Sequence, residues 1–183
     1  SGYYYVSSYD AFVGKSPTVF IPKKKDLRGI IHQYDPLGAT RSVGFKGEGY
    51  MANIFTAQYK ELFHEVGLFN VANQTDYEIY VVRNVERTSQ LTEERVKVAS
   101  GSFLYPGYYT VPIDPVHLNE GEQFAVVVYM NSTKSKNNTP LPIETRIGGY
   151  SSKAVAAPGQ SYFSRVGDGW SDLTGNLPNA NFC

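Results

Sequence analysis

The sequence predicts an all-β sandwich or barrel, and three observations carry that prediction. Short runs rich in Val, Ile, Phe and Tyr recur along the chain, separated by Gly, Pro, Asn and Asp. FAVVVYM, residues 124–130, is apolar on both faces, which marks a strand at the centre of a packed sheet. Almost nothing reads as helix. The best candidate, RTSQLTEER at 87–95, has one good apolar residue and no stripe, so it reads as a polar loop with at most one helical turn.

Taken in order, the chain opens on GYYYVSSYD, residues 2–10, aromatic β-formers set among small polar residues in the pattern of a half-buried strand. A lone terminal strand exposes unpaired backbone groups, so it requires a sheet to join. Residues 15–27, with Pro17, Pro22 and the run Lys23-Lys24-Lys25, read as a connector. The strands expected after it cover 29–34, 50–58, 62–71, 77–84, 96–103, 107–113, 123–130, 143–148 and 160–166. In DYEIYVVRN, Tyr77, Ile79 and Val81 alternate with Glu78 and Tyr80, which predicts one wet face. MNSTKSKNNTP, residues 130–140, has the composition of a mobile loop. The final NANFC reads as a strand cut short, and both ends of the chain read as interruptions of longer segments.

Charge narrows the function classes. Lys and Arg balance Asp and Glu at 17 each, whereas nucleic-acid binding depends on clustered cations, so nucleic acid is not the expected partner. No apolar run reaches the length of a membrane span, and membrane insertion is not expected. The single cysteine, Cys183, excludes an intrachain disulfide and a thiolate cluster. It reads as a small buried hydrophobe rather than a nucleophile.

Catalytic patterns are absent from the sequence. His32, His64 and His117 lie on or beside separate strands without metal-site spacing, and no G-x-S-x-G elbow occurs. No pair of acids stands out as a glycosidase couple. Asp35, Asn53, Glu144 and Asp172 each fall at a strand edge, where a hard cation such as Ca²⁺ gathers carboxylate, amide and backbone oxygens from separate loops. These four are the candidate metal ligands, although acids at strand ends also serve as turn residues. Tyr108, Tyr109, Tyr162 and Trp170 are the candidate ligand-binding residues, because sugar C–H groups stack on aromatic faces. The same rings also fill sandwich cores with their polar tips at the surface, and GDGW at 167–170 reads first as a tight turn with Trp170 packing under it.

HQYDPLG, MANIFTAQYKELFHEVGLF, YEIYVV, YPGYYTVPI, LNEGEQFAVVV, PIE and GQSYFSRVGDGWSDL occur in that order from about residue 28 to the end. Together they resemble the lectin-like domain that follows the papain-type peptidase domain in surface cysteine proteases of clostridia and some archaea. The resemblance implies an antiparallel β-sandwich of jelly-roll type over residues 28–183, with an associated calcium ion. It also implies that residues 1–14 are the tail of a papain-type peptidase domain, since GYYYVSSYD is similar to the aromatic strand that follows that family's catalytic Asn. On this reading the catalytic residues lie upstream of Ser1, and none maps onto this chain. The expected function is a non-catalytic accessory module of a secreted or cell-surface cysteine protease. Its partners would be the upstream peptidase domain and a cell-surface glycan or protein. The alternatives are a wall or lid shaping access to the peptidase active site and, last, an independent glycan hydrolase.

Overall fold

In the computed structural model, Tyr9 and residues 29–183 are described. The expected peptidase-tail strand at 1–14 and the connector at 15–27 lie outside the described residues, Tyr9 excepted. The chain divides into two compact units, Ser1–Ile31 and His32–Cys183. All the described strands belong to the second.

The protein is an antiparallel all-β sandwich. Its main sheet has six strands: β2 (Glu48–Thr56), β4 (Thr75–Arg83), β5 (Val96–Phe103), β7 (Gln123–Asn131), β9 (Ser161–Ser164) and β10 (Ser171–Asp172), in the spatial order β10-β9-β2-β7-β4-β5. Facing it are a two-stranded sheet of β3 (Glu61–Asn70) and β6 (Gly107–Leu118) and a three-stranded sheet of β1 (Arg41–Val43), β8 (Leu141–Glu144) and β11 (Asn181–Phe182), in the order β1-β8-β11. Every pairing among the described strands is antiparallel.

The strand β7 sits between β2 and β4, and its double-sided apolar pattern has a cause on each face. Phe124, Val126, Val128 and Met130 enter the main core with Met51, Ile79, Val66, Leu68, Ile143 and Phe182. Ala125 and Val127 face the other way, into a second core with Ala52, Val82, Val85 and Leu91. Each fully buried Val or Phe side chain contributes roughly 1.5–3 kcal/mol, so this strand contributes to both layers. The edge strand β5 carries Lys97 and a bulge opposite Ile79 and Tyr80, two devices that discourage further strand pairing.

Several expectations change on contact with the structure. Residues 29–34 form no strand. His32 packs edge-on against Phe124 at 5.2 Å and Tyr34 stacks on Phe55 at 4.8 Å, so the segment is held by its rings rather than by a ladder. The strand expected at 143–148 ends at Glu144, because Ser151 Oγ donates to Thr145 O and accepts from Ile147 N, closing a turn in which Gly149 takes φ +77°. The wet face expected for β4 is half covered. Leu91, from the helical turn α1 (Gln90–Glu93) inside the polar segment, is fully buried against Val82 on that face.

Candidate functional site

Three features gather the polar and aromatic groups of the second unit: a cleft at one end of the main sheet, the sheet's outer face, and a carboxylate pair.

The cleft, of about 460 Å³, is bounded by residues 85–88 on one side and 157–162 on the other, with Tyr34, Ile54, Thr56 and Gln123 also lining it. Thr56 and Gln123 are paired across β2 and β7, which makes the floor a sheet surface. One wall is fixed by the buried amide of Gln90. Its Oε1 accepts from Glu86 N at 2.7 Å and Arg87 N at 2.9 Å, and its Nε2 donates to Asn84 O. The other wall is fixed by Asp172 Oδ2, which accepts from Gly159 N at 2.6 Å, and by Gln160 Oε1, which accepts from Ala157 N at 2.8 Å.

On the outer face, Tyr50 lies beside Tyr129 with ring centroids 4.7 Å apart. The Arg95 guanidinium lies 5.0 Å from the Tyr50 ring and 5.1 Å from the Tyr80 ring, and Arg95 also donates to Gly167 O. Burial, reinforced by hydrogen bonds to Glu78 and Glu48, pushes the Tyr80 and Tyr129 hydroxyls up to about 12, so both stay protonated donors. Trp170 is half-buried over the second core. It meets Tyr50 edge-on at 6.4 Å, and its Nε1 donates to Thr92 Oγ1 at 3.0 Å.

The four aromatic candidates do not converge. Tyr162 and Trp170 both pack on the second core. Tyr109 turns into the main core, stacked on Phe103 at 4.1 Å with its hydroxyl donating to Tyr105 O. Its neighbour Tyr108 is 61% exposed and tilts against Phe69 at 4.9 Å.

Of the metal-ligand candidates, Asp35 and Glu144 come together. Leu37 N donates to Glu144 Oε1 at 2.5 Å. Burial, with the nearby Glu144 carboxylate adding to it, pushes the Asp35 carboxyl up to about 6. Cys183 hydrogen-bonds to Asp35, and burial together with these acids drives its thiol far above the ordinary range. Among the described residues no Lys, Arg or His pairs with either acid. Glu144 is buried and Asp35 half-buried, so the pair offers two carboxylates without a balancing charge, the donor type that a hard cation takes. No group of three or more His, Cys, Asp or Glu among the described residues is placed to hold a metal ion.

Asn53 and Asp172 stand apart from this pair. The Asn53 amide donates to Phe182 O and accepts from Ser161 Oγ. Asp172 caps a 3-10 turn, Leu173–Gly175. Burial opposes its ionisation, but hydrogen bonds from Thr174 and Gly159 outweigh that and hold its carboxyl below the usual range. The sequence reading named Tyr162 of the cleft but missed Thr56, Thr88, Gln123 and Gln160. Threonine and glutamine are ordinary surface residues, and nothing in their spacing announces a shared cleft.

Residues 31–183 match the model of a family described as a lectin-like domain. No curated protein matches the chain. One similar solved structure contains the cysteine protease and lectin-like domains of Cwp84, a surface-layer associated protein of Clostridium difficile. It is 27% identical with a TM-score of 0.65, over 74% of this chain and 31% of that one. A second is the clostridial cysteine protease Cwp84 after propeptide cleavage, 25% identical with a TM-score of 0.69, over 79% of this chain and 36% of that one. The chain therefore spans about a third of the length of these solved relatives. A family match over most of its length places the second unit beyond doubt: this chain belongs to the lectin-like domain family.

Proposed function

We propose that this chain is the non-catalytic accessory domain of a papain-type cysteine protease at the cell surface, and that it binds cell-surface glycan. The observation that carries the reading is the company the domain keeps: in Cwp84 a lectin-like domain and a cysteine protease share one chain. Two features of this chain support it. The cleft and the outer face supply half-buried tyrosines with amide and hydroxyl groups on a rigid sheet. Asp35 and Glu144 supply two of the oxygens that one Ca²⁺ would need, and an ion bound there would tie the 35–38 turn to the end of β8.

The parent polypeptide, with and without residues 28–183, separates this role from a wall beside the peptidase cleft. The accessory role predicts unchanged kcat/KM on a short soluble peptide and reduced retention on isolated cell envelopes when the domain is removed. A several-fold change in kcat/KM with retention unaltered would reverse the assignment in favour of the wall.

A further inference from the structure

We propose that the cleft between residues 85–88 and 157–162 is the binding site for a short neutral saccharide; this rests on the glycan-binding reading above. Four side chains that line it, Thr56, Thr88, Gln123 and Tyr162, have polar atoms with no hydrogen-bond partner among the described residues. The polar side chains that build the walls and the neighbouring core are tied. Gln90, Asn53, Ser161, Asn181 and Asp172 each make two or more hydrogen bonds. A set of unspent hydroxyls and one amide facing a single concavity is what a polyhydroxyl ligand requires.

Size, charge and shape point to the same ligand class. At about 460 Å³ the cleft falls within the range of small-molecule sites, roughly 300–1,000 Å³. Among the described residues its only charged lining residues are Glu86 and Arg87, one of each sign. Arg87 is already committed, donating to Glu93 Oε2 at 2.8 Å and Ser89 Oγ at 2.9 Å. Among the described lining residues no free cation is left to favour an anionic ligand over a neutral one. The half-buried ring of Tyr162 gives the cleft an apolar wall for sugar C–H groups, while its hydroxyl supplies a polar tip.

The site is also pre-organised. Gln90 sets one wall and Asp172 with Gln160 sets the other, and the floor is two paired strands. Little ordering is left for a ligand to induce, which matters for weakly binding sugars.

The test uses the 183-residue chain with four probes: cellobiose, maltose, mannobiose and N,N′-diacetylchitobiose. Binding is read by saturation-transfer NMR and calorimetry. Two variants alter exposed positions on the floor. Thr56→Arg fills the cleft, and Gln123→Ala removes its amide. The expected result is binding of at least one probe, its loss in Thr56→Arg, and at least tenfold weakening in Gln123→Ala, with melting temperatures unchanged. A probe that binds both folded variants as well as the unaltered chain overturns the cleft while leaving glycan binding in place. If none of the four binds the unaltered chain, the cleft assignment falls, and the glycan reading is decided separately on a wider array.

Discussion

Trp170 is where a stacking platform and a core residue compete for the same side chain. A platform needs an open ring face and a free indole N–H. In the fold the ring lies on the second core beside Tyr50, and the N–H is bound to Thr92. Trp170→Ala is therefore expected to cost about 2–3 kcal/mol, below the ~3–5 kcal/mol of a fully buried large aromatic, because the ring is half-buried. Urea unfolding measures this, and a variant as stable as the parent would return Trp170 to the binding surface. Glu122 offers a second residue-scale test. Its carboxylate accepts from Arg83 Nε and Nη2, both at 2.7 Å, and from Asn119 N. The Arg83 hydrogen bonds hold its carboxyl below the ordinary value of 4.5. A depressed folded pKa contributes stability that is present above the unfolded value and lost as pH falls through the folded one. The melting temperature should thus fall below about pH 4.5, and Glu122→Gln should flatten that acid limb while lowering stability at pH 7. An acid limb identical in the two proteins would contradict the assignment.

At the scale of elements, what the sequence made legible follows from how each element is buried. The strand β7 was plain because burial on both faces removes polar residues from the run altogether. The boundaries of β5 could be read directly, since the charged run Glu93-Glu94-Arg95 precedes Val96 and Pro106-Gly107 follow shortly after Phe103. Strands of two or three residues, such as β1 and β10, leave no period to detect. The segment 29–34 has strand-like composition, yet His32 and Tyr34 lie in it as ring-packing residues beside Phe55 and Phe124. The wet face of β4 was misjudged because its cover comes from Leu91, a single apolar residue in an otherwise polar segment. Asp35 and Glu144 could each be named as candidates, but their meeting depends on a fold that brings residues 35–38 against the end of β8. The cleft amides and hydroxyls were illegible for the same reason: Thr56, Thr88 and Gln123 are joined only by the pairing of β2 with β7 and by the Gln90 clamp.

At the scale of the whole molecule, one face of the main sheet builds the principal core and the other carries the tyrosines, Arg95 and Trp170. The carboxylate pair lies where β8 and the C-terminal residue meet the 35–38 turn. A Ca²⁺ held there binds the folded chain and not the unfolded one, so it stabilises by mass action. EDTA should lower the melting temperature and excess Ca²⁺ should restore it, while Asp35→Asn should abolish both responses. A melt unchanged in both directions would remove the ion from the account. The central claim is that this domain is a binding module, and a glycan array probed with the 183-residue chain in Ca²⁺ tests it most directly. The account predicts dose-dependent binding to a restricted set of neutral glycans, weakened when EDTA replaces Ca²⁺; a folded chain that binds none of them would contradict it.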